Sequence, residues 1–183
     1  MNTPIFAAVL LLLPGALAHG AGADWPAPSL PAIPAADGYA VIPHAAVAPS
    51  RSHVYKAIFD ATQAAADPGK LVPALNMAGS ELNALAATAV PLGHAHFAVV
   101  FHGAAMSGIL RDDAYKARFN VANPNIDTLR KMKAAGVEFF VCGQNLVADN
   151  VDPATLLPEV TVASDALIVL MTYQNNGYAL LSF

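Results

Sequence analysis

The sequence predicts an α/β protein, a three-layer α/β/α sandwich built around a mostly parallel sheet. Three observations carry this prediction. Strand-like and helix-like segments alternate from about residue 52 to the end. The strand-like runs are apolar on both faces, as strands inside a parallel sheet are. And 56% of the side chains are hydrophobic against 12% charged, a balance that suits buried strands and apolar helices. Nine basic and thirteen acidic residues, scattered without runs, argue against a nucleic-acid surface.

Taken in order, Ile5 to Leu13 is an almost unbroken apolar run, and Pro14-Gly15 breaks it. Ala16-Leu17-Ala18 then supplies the small-x-small pattern of a signal-peptidase site. Residues 1–18 therefore read as a signal peptide, although Met1-Asn-Thr-Pro4 lacks the usual Lys or Arg, and the mature protein reads as periplasmic or secreted. The apolar run is about nine residues, well short of the roughly 20 of a membrane-spanning helix, so no integral membrane segment is expected after cleavage. About 165 residues remain, enough for one domain with an adequate core.

Residues 19–51 hold Pro26, Pro28, Pro31, Pro34, Pro43 and Pro49, which remove amide donors and forbid regular helix. This is an extended arm. Trp25, Leu30, Ile33 and Tyr39 suit it to lie along its own domain or a neighbouring subunit; a mobile linker fits the composition equally.

The domain proper spans 52–183. Val54 to Phe59 predicts a first strand. Leu71, Leu75, Ala78, Leu82, Leu85 and Ala89 recur at three- and four-residue steps, which predicts a helix of about 18 residues ended by Pro91-Leu-Gly93. His96 to Phe101 is the second strand. Helical pieces follow at about Ser107 to Phe119 and Pro124 to Ala135. The latter has Asn123 as a cap, Pro124 at the first helical position and Gly136 after its end. Val137 to Val141 is the third strand, followed by a polar loop from Cys142. Glu159 to Val162 is a short fourth strand, Ser164 caps a helix to about Gln174, Asn175-Asn-Gly177 turns, and Tyr178 to Phe183 closes the sheet.

Parallel sheets bind ligands at the carboxyl ends of their strands. By counting, His102 falls there after the second strand and Cys142 after the third. Cys142 is the only cysteine, so it forms no internal disulfide. A thiol attacks as its thiolate, which a positive charge or backbone amides favour, and the segment Gly143-Gln-Asn145 offers amides. Gly143 leaves the backbone open to close approach. His102 is the nearby group able to take the proton. The expectation is a sulfhydryl open to solvent at the sheet rim, within reach of the neighbouring imidazole. Asn125 has no evident structural duty in the first helical turn and joins the candidates. Plainer readings stand beside these: Cys142 as a small buried hydrophobe, His102 bonded to a carbonyl, Asn125 as an ordinary first-turn residue.

His94-Ala-His96 shares one strand face but lies roughly 20 Å along the strand from His102, with no further ligand cluster, so no metal site is expected. No Gly-x-Gly-x-x-Gly, Walker or Gly-x-Ser-x-Gly motif occurs, and no cofactor is expected.

Phe101-His-Gly103, Asn123-Pro-Asn125, Leu129 through Ala135-Gly-Val137, Val141-Cys-Gly-Gln144 and Gln174-Asn-Asn-Gly-Tyr178 occur in this order. Together they resemble the DsrE/DsrF-like family, most closely its exported branch, over about residues 52–183. The resemblance implies a three-layer α/β fold assembled as a homo-oligomer, a trimer or hexamer. In sulfur-relay members a cysteine carries sulfur as a persulfide and passes it to a partner thiol. The matching residue here is Cys142, with His102 and Asn125 near it by motif position, and Gly103, Gly143 and Gln144 as substrate-binding candidates. Its partners would be a sulfur-donor or sulfur-acceptor protein. The leader and the Pro-rich arm depart from the sulfur-relay members, which act in the cytoplasm. Two functions follow: an exported sulfur-relay or thiol-redox protein using Cys142, or a non-catalytic oligomeric module that binds a small molecule at His102, Asn125 and Gln144 or serves as an accessory of a periplasmic sulfur/redox system.

Overall fold

The structure, a computed structural model, describes residues 24–183; the signal peptide expected at residues 1–18 lies outside the described residues. Strands β1 (Tyr55–Ala61), β2 (Ala95–Phe101), β3 (Glu138–Cys142), β4 (Thr161–Ala163) and β5 (Ala179–Ser182) form one five-stranded sheet. Its order is β4-β3-β2-β1-β5, and every pairing is parallel. Helices α1 (Pro73–Ala87), α2 (Asp112–Phe119), α3 (Asn125–Ala134), α4 (Gly143–Ala148) and α5 (Ala166–Asn175) connect and cover it.

Successive strand side chains point to opposite faces. On one face Phe59, Val99, Phe101, Phe139 and Val141 pack with Leu75 and Leu82 of α1 and Leu129 and Met132 of α3. On the other, Ile58, Ala98, Val100 and Cys142 pack with Ala166, Val169 and Leu170 of α5. Both faces of β2 are thus buried, which is why its sequence is apolar without alternation. The three-layer α/β fold is as the sequence predicts.

Several boundaries differ, each through tertiary pairing. The helix expected over 107–119 is divided into a 3-10 segment, Gly103–Ile109, and α2. Between them the Leu157 amide donates to the Ile109 carbonyl at 2.9 Å and the Arg111 amide to the Thr155 carbonyl at 2.8 Å. Backbone groups engaged sideways do not continue a helix. The polar segment after Cys142 is helical, starting at Gly143. And α5 is capped by Asp165 rather than Ser164: the Leu167 amide donates to Asp165 Oδ1 at 2.6 Å.

The arm lies along its own domain. Ser29 and Tyr39 form an antiparallel bridge, and between them Ile33 is 1% exposed. The anchor is Asn83 of α1, fully buried. Its Oδ1 accepts from the Ala32 and Ile33 amides at 3.0 and 2.8 Å, and its Nδ2 donates to the Ile33 and Asp37 carbonyls at 3.0 and 3.1 Å. Gly79 completes the fit, because a Cβ there would stand 2.6 Å from that of Ala36. Among the described residues no helix is long and apolar enough to cross a membrane.

Asn83→Ala strands these arm backbone groups, so chemical denaturation should show a loss of about 3 kcal/mol, with limited proteolysis cutting first between residues 29 and 39. Unchanged stability would show that the arm is not held this way.

Candidate functional site

The carboxyl edge of the sheet on the α5 side collects the polar side chains. His102 directly follows β2 with extended backbone, and its amide donates to the Ala61 carbonyl at 3.0 Å, so it continues the strand's alternation beyond Ala98 and Val100. Its Nε2 is 2.6 Å from Oδ1 of Asp60, near the end of β1. The other Asp60 oxygen accepts from Ser182 Oγ at 2.9 Å. The side chains of His102 and Asp60 are 24% and 14% exposed, so this contact is partly withdrawn from water but remains accessible.

Cys142 ends β3. The β2–β3 register pairs Phe101 with Val141, which makes His102 and Cys142 the next cross-strand neighbours, one strand spacing of about 4.8 Å apart along the backbone. Alternation puts both on the α5 face. Here the expectation of an open sulfhydryl facing an imidazole is corrected on two points. Cys142 is only 5% exposed, because it ends β3 within the apolar cluster that α5 builds on this face with Ala166, Val169 and Leu170. And Nε2 of His102 bonds toward β1, the neighbour of β2 on the side away from β3. Among the described residues no hydrogen bond joins the ring to the sulfur.

The segments after the two strands are nevertheless tied together. Gly103 turns at φ +56°, a conformation that favours glycine, and its amide donates to Asn145 Oδ1 on α4 at 3.2 Å. Gln144 Nε2 donates to the Ser164 carbonyl at 3.3 Å. At Gly143 a Cβ would lie 2.6 Å from the Ala163 carbonyl, so the space expected for an approaching substrate is taken by the chain's own β4. Gly143 and Gln144 line a shallow depression of about 470 Å³ with Val162 and Ser164. A separate cavity of about 390 Å³ is lined by Gly103, Met106, Ser107, Arg118 and Asp149.

Asn125 stands elsewhere. It is fully buried on α3, which packs on the sheet face opposite α5. Its Oδ1 accepts from the Val72 amide at 2.8 Å, and its Nδ2 donates to Asn123 Oδ1 at 2.9 Å. Asn123 Oδ1 also accepts from the Asn125 amide, and Asn123 Nδ2 donates to the Gly108 and Leu110 carbonyls at 3.0 and 2.6 Å. The two asparagines join the entry of α1, the 3-10 segment and α3, so the structure does not bring Asn125 to Cys142 and His102. Nearby, the hydrogen bond from Lys116, helped by the Asn123 amide, holds the Asp112 carboxyl below the usual carboxylate range.

The model of the DsrE/DsrF-like family matches residues 56–183. The chain belongs to this family. Among solved structures, this chain is similar to a protein of unknown function from Methanobacterium thermoautotrophicum. The two share 20% identity with a TM-score of 0.54, over 70% of this chain and 99% of that one. No curated protein matches.

Motif matching in this DsrE/DsrF-like chain passes over Asp60, Ser182 and Asn145. Asp60 did carry a signal: it is an acid two residues beyond the fully buried Ile58, on the same strand face and close to the carboxyl edge. Ser182 and Asn145 gave none, since their roles depend on which strands are neighbours.

Burial sets the reactivity of Cys142. In the folded protein a bulky maleimide should label it more than tenfold more slowly than in denaturant, followed by intact mass, while a methylthiolating reagent should be much less hindered. Equal rates for the two reagents would mean that α5 does not cover the thiol.

Proposed function

We propose that this DsrE/DsrF-like chain is an exported sulfur-relay or thiol-redox protein, with Cys142 carrying the sulfur and His102 taking the proton. The observation that carries this reading is the β2–β3 register, which sets the only thiol and an accessible imidazole at neighbouring strand ends on one face. Family membership supports the sulfur chemistry. In the step proposed, Cys142 loses its proton to His102 and its thiolate attacks the outer sulfur of a persulfide donor. The donor's S–S bond breaks, a new S–S bond forms on Cys142, and the donor leaves as a thiolate that takes the proton back from His102 to become a thiol. The 5% exposure makes the site selective for small sulfane-sulfur species, larger donors requiring the first turn of α5 to move.

Export to the periplasm or beyond is supported by the apolar run before Ala16-Leu17-Ala18. A homo-oligomer is supported by the outer face of α5, where Leu167, Ile168 and Met171 are exposed side by side. A second reading, a non-catalytic module binding a small molecule, is favoured by the enclosure of Cys142 and by the cavity of about 390 Å³ beside Gly103.

Purified protein treated with an inorganic polysulfide should gain the mass of one sulfur atom, and Cys142→Ser should abolish the gain. Protein that takes up no sulfur while its thiol still reacts with a small methylthiolating reagent would sink the relay reading and leave the binding module.

A further inference from the structure

We infer that Asp60 is a positioning residue for His102, fixing the ring with Nε2–H on the carboxylate so that proton exchange with a substrate or thiol occurs at Nδ1. This rests on the reading of His102 as the proton-handling group. The geometry comes from three strands, not one loop. Asp60 lies in β1, His102 follows β2 and Ser182 ends β5, and the sheet order places these strands side by side. The β1–β5 register sets Asp60 directly opposite Ser182. The contacts therefore form a chain across the sheet edge: Ser182 Oγ donates to Asp60 Oδ2 at 2.9 Å, and Asp60 Oδ1 faces His102 Nε2 at 2.6 Å.

The chemistry of the groups assigns the protons. An ionised carboxylate only accepts, so at 2.6 Å the ring nitrogen facing it must donate. In the neutral ring that leaves Nδ1 as the acceptor, and among the described residues no hydrogen bond occupies it. When Nδ1 takes a proton from a thiol or ligand, the ring becomes an imidazolium and the donor an anion. The Asp60 hydrogen bond, charge-assisted from the start by the carboxylate, then joins two opposite charges. The same arrangement of carboxylate and imidazole orients general bases and fixes tautomers elsewhere in protein chemistry. Ser182 in turn holds the carboxylate, because it occupies the second oxygen and stops Asp60 from rotating away.

Such a contact has a signature that does not depend on sulfur loading. In ¹⁵N-labelled protein the neutral His102 ring, assigned with His102→Gln, should show a downfield, slowly exchanging Nε2–H and an unprotonated Nδ1. Asp60→Asn should speed exchange of that proton with water about tenfold or more, the loss of one charge-assisted hydrogen bond, with the backbone amide spectrum otherwise retained. Asp60→Glu should recover part of the protection. If Asp60→Asn does not fold, Ser182→Ala should still give a severalfold faster exchange. A wild-type ring protonated at Nδ1, or exchange unaffected by Asp60→Asn or, where that variant is unfolded, by Ser182→Ala, would overturn the inference. A normal ring signature in protein that takes up no sulfur would instead remove the relay reading and leave this one standing.

Discussion

Everything at the candidate site depends on the parallel pairing of β2 with β1 on one side and β3 on the other. That pairing is in register over seven residues with β1 and four with β3. Because strand side chains alternate, the register decides together that Asp60, His102 and Cys142 emerge on the α5 face and that Phe59, Phe101 and Val141 emerge on the other. A slip of one residue would invert every one of these assignments, and burial of both faces of β2 is what forbids the slip. The large core on the α1 and α3 side therefore fixes where Asp60, His102 and Cys142 emerge on the α5 side.

The fold was largely legible in the sequence because its strongest signals are periodic. The α1 stripe and the apolar β2 and β3 runs need no tertiary knowledge. Boundaries shifted where partners distant in sequence claim backbone groups, as Thr155 and Leu157 do between Ile109 and Arg111. The arm's position was not legible, since Asn83 looks like any helical asparagine until Ile33 and Asp37 lie against it.

The site was legible only in part. Counting to strand ends finds His102 and Cys142, and neighbouring strands make them neighbours. Counting does not tell which way a ring turns or what covers a thiol. Those depend on Asp60 in β1 and on Ala166, Val169 and Leu170 of α5, none of which a motif marks. Asn125 shows the converse: a polar residue with no duty evident from its neighbours in sequence has a distant partner, here the Val72 amide just before α1. Gly143 is similar, a glycine required by the Ala163 carbonyl and not by a ligand.

The geometry separates two properties that a sulfur carrier must combine. The thiol is buried, which in the proposed relay would guard its sulfur cargo from water and stray reductants, whereas the imidazole stays partly open and bonded to its carboxylate. The most direct measurement is the rate at which polysulfide loads Cys142, followed by intact mass in the wild type and in His102→Gln. The account predicts loading slowed about a hundredfold by the substitution in a protein with unchanged fold, the loss of one general base. Equal rates would contradict it, because the thiol would then be working without the imidazole that the register brings to its side.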